Sequence, residues 1–201
     1  MTTRSPLRHR PAAPPAASPS AGAFAERGGG QKGGVGHFVS ANNTWDTFDV
    51  DRSRFSPVAW LMGYTNLGVT QWQSFTNSKL EGGIAETWEQ PDKNTTTFKI
   101  RQNVYWHNKP PVNGRQAVAD DVVQFILRNK NGKTSDGVDD PNFYRKAAYQ
   151  NVDKVEAVEP EFTAKVTFSK PDPFLPHDAR GFLLKVQAPE AIKAFRKDYA
   201  N

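Results

Sequence analysis

The 201-residue sequence contains no cysteine. This absence excludes disulfides, thiolate zinc sites, cysteine nucleophiles and the lipid-modified cysteine of a bacterial lipoprotein. The sequence also lacks a run of about eighteen apolar residues, so no membrane-spanning helix is predicted. It has no Gly-x-Ser-x-Gly motif, and its four histidines are scattered. The sequence therefore predicts neither a hydrolase nucleophile nor a metal site.

Acidic residues are scarce near the amino terminus, where residues 1–34 hold five basic residues and one acidic residue. This segment therefore carries +4 of the chain's net charge of +5. It consists mainly of Pro, Ala, Ser, Gly and Arg, and has too few large apolar side chains to offset the entropy of ordering. We predict a disordered tail. Because the positive charge lies in this tail rather than on a folded face, no nucleic-acid partner is predicted.

The same segment resembles two functional signals without completing either. Its basic start is followed by an alanine-rich stretch that prolines interrupt, where an export signal needs a continuous apolar region. We therefore expect no functional export signal in this start. The run Gly28–Gly33 formally matches G-x-G-x-x-G, but no strand precedes it and no helix follows it, so no nucleotide site is predicted.

The clearest secondary-structure pattern covers Ile84–Ile126. It predicts a strand that ends at Trp88, a polar turn over Pro91–Asn94, a second strand over Thr96–Arg101 and, after a loop, a helix that begins near Asp120. In the second strand apolar and basic residues alternate, which indicates one buried face and one solvated face. The stretch therefore predicts a small α/β unit, and it contains no catalytic constellation.

Two pairs of acidic residues have competing interpretations. Asp120 and Asp121 suit N-terminal capping and the helix dipole, whereas neighbouring helical residues point about 100 degrees apart and do not converge as an acid/base pair. Asp49 and Asp51 resemble the start of a calcium loop, but Arg54 stands where that loop needs a glycine. We predict a capping role for the first pair and no calcium site for the second.

The remaining elements are predicted from shorter patterns. Gln71–Lys79 is polar and aromatic, and we interpret it as a connection. Asn151–Ser169 alternates on both sides of a Glu-Pro-Glu turn, which predicts a hairpin. Further predicted elements are a strand over Val35–Ser40 and helices over Pro57–Val69, Asn142–Tyr149 and Pro189–Tyr199.

The order of several sequence blocks resembles the family 5 extracellular solute-binding proteins, which are the oligopeptide, dipeptide and nickel receptors of ABC importers. The blocks are Ala85–Glu89, Thr97–Arg101, Val104–Asn108, Ala119–Val123 and Val155–Val158. The resemblance covers roughly residues 33–201. Its specificity comes from the order of the blocks rather than from any single motif.

This resemblance implies a fold of the α/β class, of the α+β kind with a mixed sheet. It implies a partial periplasmic-binding-protein-like type II fold, with a first lobe and an accessory domain but with the second lobe missing. After the tail at 1–34, the implied organisation is a first part of lobe I at 35–70, an accessory domain at 71–176 and a truncated return to lobe I at 177–201.

The resemblance also implies the substrate-binding component of an ABC importer for peptides or related small solutes. Such a protein binds its ligand non-covalently in a cleft between lobes, with no cofactor, no metal and no enzymatic reaction. The implied ligand-binding residues are Tyr144, Phe143, Asn42 and Trp45. The residues themselves leave open that Phe143 and Tyr144 only pack a short helix against the sheet, since aromatic side chains fill cores as readily as pockets.

The implied partners are the solute and an ABC permease in the membrane. The chain itself is expected to be a monomer in the periplasm or at the cell surface. The alternative is a truncated, non-transporting interaction or structural module with no ligand of its own. An enzyme ranks third, because the sequence offers no triad, dyad or metal cluster.

Overall fold

A computed structural model of the chain describes Thr47 and residues 49–53, 61–62, 65–74, 77–133, 137–158, 162–178 and 185–195. In chain order these residues form β1 (Thr70–Ser74), β2 (Asn77–Gly82), β3 (Ala85–Asp92), β4 (Thr95–Ile100), α1 (Ala119–Asn131), a 3-10 turn (Lys146–Tyr149), β5 (Val152–Val158), β6 (Thr163–Phe168), α2 (Leu175–Asp178) and α3 (Pro189–Phe195). All of them belong to one compact unit within residues 40–201. No helix in this described part of the chain is long and apolar enough to cross a membrane.

An antiparallel four-stranded sheet in the order β3-β4-β6-β5 forms the centre of the described structure. Two hairpins meet at β4 and β6, where Phe98 pairs with Ala164. Alternation along β4 buries Phe98 and Ile100 and exposes Lys99, as the sequence predicts. The predicted hairpin over Asn151–Ser169 is confirmed, and it lies directly beside the β3-β4 unit.

Helix α1 covers the buried face of this sheet. Its inward residues Val122, Phe125 and Ile126 recur at helical spacing and are each at most 2% exposed. Tyr149 of the 3-10 turn packs edge-on against Phe125, with 6.2 Å between the ring centroids. Gly132 ends the helix in the left-handed conformation, with φ of 59°, which costs a glycine little. The helix begins where its sequence predicts, at Ala119, and ends before Gly132.

Strand β3 is longer than predicted. It continues to Asp92 instead of ending at Trp88, so that only residues 93–94 form the turn. Pro91 is tolerated because β3 is an edge strand of the four-stranded sheet, where an amide can be missing without breaking an interior ladder. The sequence prediction ended the strand at Trp88 and placed this proline in the turn, and the edge position removes that constraint.

The prediction that Gln71–Lys79 is a connection was wrong. Strands β1 and β2 form a separate antiparallel hairpin in which Trp72 pairs with Leu80. Most residues of both strands are polar, so the sequence shows no alternation of apolar and polar residues. After the hairpin, the backbone at Gly83 passes close to the backbone at Gly68. A Cβ atom at Gly83 would lie only 2.3 Å from the carbonyl oxygen of Gly68, so only glycine fits there.

The other predicted elements agree in part. Residues 61–62 of the predicted helix Pro57–Val69 are helical, but residues 65–69 lead into β1 without helical structure. The predicted helix Asn142–Tyr149 is a 3-10 turn limited to its second half. Helix α3 begins at Pro189 as predicted. The predicted strand over Val35–Ser40 lies outside the described residues, and the division into lobe and accessory domain stays a prediction.

Candidate functional site

Both ends of α1 carry a charged residue that contacts other parts of the chain. Asp121 lies in the first turn and Arg128 in the last turn. A carboxylate at the amino end and a guanidinium at the carboxyl end both interact favourably with the helix dipole. The helix therefore presents two charged anchoring points, one at each end.

Arg128 binds two carboxylates that lie 77 and 79 residues earlier in the chain. Its Nη1 donates to Asp49 Oδ1 at 3.0 Å and to Asp51 Oδ2 at 2.6 Å, and its Nη2 also donates to Asp49. Gln187 Nε2 donates to the same two carboxylates at 3.2 and 3.0 Å. We name these four residues the Arg128 junction. It connects α1 with segments 49–53 and 185–188.

Water has little access to the Arg128 junction. The side chains of Asp49 and Asp51 are each 1% exposed. Burial raises the pKa of Asp51 to about 6, against the opposing effect of Arg128 and with the nearby Asp49 carboxylate acting in the same direction as burial. Burial disfavours the charged form of Arg128, but the two carboxylates outweigh it and hold the pKa of Arg128 above its usual range. Two carboxylates thus share one guanidinium with little screening by solvent.

Two polar atoms of the junction are incompletely satisfied. Oδ1 of Asp51 and Nε of Arg128 are buried and have no hydrogen-bond partner among the described residues. An unpaired buried polar atom costs stability because it loses its hydration. The junction therefore combines strong charge pairing with a local cost in stability.

Phe143 packs against the Arg128 junction, and Tyr144 lies next to it on the surface. The guanidinium carbon of Arg128 is 5.0 Å from the Phe143 ring centroid, a cation–π distance. Phe143 is 4% exposed, whereas Tyr144 is 45% exposed. The hydroxyl of Tyr144 donates to Asn142 Oδ1 at 2.9 Å. The chain therefore turns one ring into the interior and presents the next ring to solvent.

The structure describes two of the four predicted ligand-binding residues. Of these two, Tyr144 has a substantially exposed side chain and Phe143 is buried. Asn42 and Trp45 lie outside the described residues. The assignment of all four residues to ligand binding stays a prediction.

Sequence reasoning missed the Arg128 junction. The pair Asp49 and Asp51 resembles the start of a calcium loop, yet the structure pairs both carboxylates with a guanidinium. Within the described ranges, no group of three or more His, Cys, Asp or Glu side chains could hold a metal ion. The available signals were an arginine in the last turn of a helix and a pair of carboxylates, and no local pattern connects positions so far apart.

An open groove of about 460 Å³ runs beside the junction, between α1 and α3. Pockets for small molecules typically measure about 300–1,000 Å³. Phe125, Leu127 and Ile192 contribute apolar surface to the groove, and Lys133 and Lys193 contribute positive charge. The groove therefore falls within that size range and has both apolar and charged residues in its lining.

The amino end of α1 is held by Arg115. Its Nη1 donates to Asp121 at 2.8 Å, and its Nη2 donates to Glu190 of α3 at 2.8 Å. We name these three residues the Arg115 cluster. Hydrogen bonds to the two carboxylates raise the pKa of Arg115 above its usual range, and the bond from Arg115 lowers the pKa of Glu190. The guanidinium carbon lies 5.9 Å from the ring centroid of Trp106.

Asp121 also caps the helix that carries it. Its Oδ2 accepts hydrogen bonds from the Val118 amide at 3.0 Å and from Trp106 Nε1 at 3.1 Å. Asp120 is exposed, and its Oδ1 accepts a bond from Gln124 at 3.3 Å. The predicted capping role is confirmed for Asp121, whereas Asp120 bonds a side chain instead of a helix amide. The two carboxylates have different partners and do not converge as an acid/base pair.

A protein-family model matches residues 79–201 of this chain, and its description is bacterial extracellular solute-binding proteins, family 5 Middle. The matched range includes the four-stranded sheet, α1, the loop with Tyr144 and α3. No curated protein matches the sequence.

Several solved structures share this fold. MoaA of A. tumefaciens R10, in complex with mannopinic acid, is 26% identical, with a TM-score of 0.59, over 77% of this chain and 29% of that chain. DppA of Helicobacter pylori, in complex with the peptide STSA, is 20% identical, with a TM-score of 0.61, over 75% of this chain and 30% of that chain. NikZ of Campylobacter jejuni, in complex with Ni(L-His), is 21% identical, with a TM-score of 0.55, over 69% of this chain and 25% of that chain.

The chain therefore spans between a quarter and a third of the length of these solved structures. Over that length it has part of a periplasmic-binding-protein-like type II fold in the mixed α/β class, as the sequence predicts. The family model covers more than half of the chain. The chain belongs to the bacterial extracellular solute-binding proteins of family 5.

Proposed function

We propose that this chain is the substrate-binding component of an ABC importer for peptides or related small solutes. The observation that carries the proposal is the family match over residues 79–201, which includes the sheet, α1 and the loop with Tyr144. Proteins of this family bind substrates rather than transform them, so no enzymatic step is proposed. MoaA, at 26% identity, was solved with mannopinic acid, which supports a small polar solute as the ligand.

We assign ligand contact to Tyr144 and Phe143, together with Asn42 and Trp45. Support for Tyr144 comes from its exposed ring, which lies beside a firmly packed neighbour. An aromatic ring with few rotatable bonds gives a large contact area at a small entropic cost. Binding is non-covalent, with no cofactor, in the cleft between the lobes. The described part of the chain contributes the four-stranded sheet, which we assign to the accessory domain at 71–176.

The partners follow from the same assignment. Family members are periplasmic and work with ABC permeases, so we propose a monomer in the periplasm or at the cell surface that delivers its solute to a permease. The opposing lobe of such a receptor supplies many ligand contacts. A chain that spans about 30% of its relatives is therefore expected to bind a solute weakly by itself.

Isothermal titration calorimetry tests the proposal with three probes: the peptide STSA, Ni(L-His) and mannopinic acid. We expect these 201 residues to bind one probe with a Kd of about 0.1 mM or weaker, because they span about 30% of the length of the solved relatives. Tyr144→Ala should weaken that binding, whereas Lys154→Gln, a change in an exposed ion pair on β5, should leave it unchanged. Micromolar binding by this chain would contradict the expected division of contacts between lobes.

The alternative is a non-transporting interaction or structural module with no ligand of its own. One observation favours it: the buried charged groups beside Tyr144 are bound to one another in the Arg128 junction rather than directed at a ligand. The DNA next to the gene separates the two functions. Neighbouring permease and ATPase genes would support the importer, and their absence, together with no heat from any of the three probes, would support the module.

A further inference from the structure

The loop that carries Tyr144 is bonded at both ends to a segment 88 to 92 residues earlier in the chain. Arg52 Nε donates to Asp140 Oδ2 at 2.6 Å, and Arg145 Nη1 donates to the carbonyl oxygen of Ser53 at 3.0 Å. Tyr144 therefore lies between two anchors that both reach residues 52–53.

Hydrogen bonds within the loop connect Asp140 to the hydroxyl of Tyr144. Asp140 Oδ1 accepts a hydrogen bond from the Asn142 amide at 2.8 Å, and Asn142 Oδ1 accepts the bond from the Tyr144 hydroxyl at 2.9 Å. An unbroken series of contacts thus runs from the Arg52 guanidinium to the Tyr144 ring. We name Arg52, Asp140 and Asn142 the loop relay.

Asp140 is buried and bonded on both carboxylate oxygens. It is 8% exposed, although Asp139 and Pro141 on either side of it are exposed. Burial acts to raise its pKa, but the bonds from the Asn142 amide and from Arg52 outweigh burial and lower that pKa below its usual value. Asp140 is therefore charged at neutral pH, and its two oxygens hold two different groups in fixed directions.

We propose that Arg52 and Asp140 are positioning residues that hold the Tyr144 ring in its ligand-binding orientation. This inference rests on the proposed function, because it assumes that Tyr144 contacts the solute. A half-exposed tyrosine without such support would sample several rotamers and lose that freedom on binding. A ring whose hydroxyl is already fixed loses less entropy. The loop relay would therefore improve affinity without touching the solute.

The first test needs no ligand. The chain contains five tyrosines, so 3-fluorotyrosine gives few ¹⁹F signals, and the signal that Tyr144→Phe removes identifies Tyr144. We expect Asp140→Ala and Arg52→Ala to move this signal towards the shift of an unfolded tyrosine and to leave the other signals in place. Arg52→Lys, which keeps the charge, should restore part of the native shift, and Lys154→Gln should not move it.

A second variant protects the test against unfolding. Asn142 is exposed, so Asn142→Ala should leave the fold intact, as circular dichroism can verify, while it removes the acceptor of the Tyr144 hydroxyl. We expect the same movement of the Tyr144 signal. If the signal stays at its native position in Asn142→Ala and in Arg52→Ala, the positioning role is wrong.

Binding experiments separate this inference from the proposed function. The peptide STSA is titrated while the Tyr144 signal is observed. We expect Asp140→Ala to weaken binding by about five- to tenfold, and to have no further effect in a chain that already carries Tyr144→Ala, because Asp140 acts through that ring. A Tyr144 signal that does not respond to STSA in the wild type counts against peptide contact, while the ligand-free spectra still decide the positioning role.

Discussion

The two ends of α1 use the same set of charges in different surroundings. The Arg128 junction and the Arg115 cluster each place one guanidinium between two carboxylates and near an aromatic ring. In the first, the arginine side chain is 11% exposed and both acids are 1% exposed. In the second, the arginine is 31% exposed and Glu190 is 42% exposed, while Asp121 is 2% exposed.

This difference in burial reverses the direction in which a carboxylate pKa moves. Burial raises the pKa of Asp51 in the Arg128 junction, although the guanidinium opposes it. In the Arg115 cluster the hydrogen bond from the guanidinium lowers the pKa of Glu190 and outweighs the opposing effect of burial. The two sites contain the same number of charges, yet the pKa of Asp51 rises and the pKa of Glu190 falls. Desolvation is the dominant effect only where water is excluded.

The largest expected effect is the loss of Arg128. Arg128→Met would leave two carboxylates buried without their cation, and we expect the free energy of unfolding to fall by about 3–5 kcal/mol. Urea unfolding followed by circular dichroism measures the change. A loss below about 1 kcal/mol would show that the junction is more hydrated than its exposure suggests.

A smaller effect is expected at the other end of the helix. Arg115→Met leaves Glu190 in contact with water and leaves Asp121 bonded to the Val118 amide. We expect a loss of about 1–2 kcal/mol, because the exposed pair contributes little and the cap survives. The same urea series supplies the measurement. Equal losses for Arg128→Met and Arg115→Met would contradict the comparison.

The pH dependence should distinguish the two sites by direction. The folded-state pKa of Asp51, about 6, exceeds its reference value of 3.8, so its stabilising contribution is complete below that reference value and is lost as pH rises through about 6. Between pH 7 and pH 5 the free energy of unfolding should increase by about 1 kcal/mol through this group. Thermal melts of the wild type and of Asp51→Asn at both pH values test this, because the variant should lack the increase.

Glu190 should give the smallest effect and the opposite trend. Its pKa is lowered in the folded state, so its contribution is present above its reference value of 4.5 and is lost as pH falls below that value. We expect Glu190→Gln to reduce the free energy of unfolding by about 0.5 kcal/mol at neutral pH, as for a partly exposed ion pair. High salt should remove most of the difference between variant and wild type. A salt-independent loss would indicate that the pair is more buried than its exposure suggests.

Local patterns were sufficient for the centre of the fold. Alternation at Phe98 and Ile100 predicted β4, and the same signal around the Glu-Pro-Glu turn predicted β5 and β6. Patterns failed where polar residues form a strand, as in β1 and β2, and where Pro91 continues a strand at a sheet edge. These failures have the same cause. Whether a strand lies at a sheet edge, and which backbone segments pass close to each other, is decided only when the sheets have formed.

For the candidate site, the sequence predicted the capping residue Asp121 but not the partners of Arg128. The ligand-binding role of Tyr144, which the family resemblance implies, stays a prediction. Capping and alternation depend on residues within one turn or one hairpin, so a sequence determines them directly. The Arg128 junction depends on contacts across 77 and 79 residues, and the exposure of Tyr144 beside a buried Phe143 depends on how the loop is fastened. Only the tertiary structure decides these features, because burial sets the strength and direction of each charge interaction and burial exists only once the segments have come together.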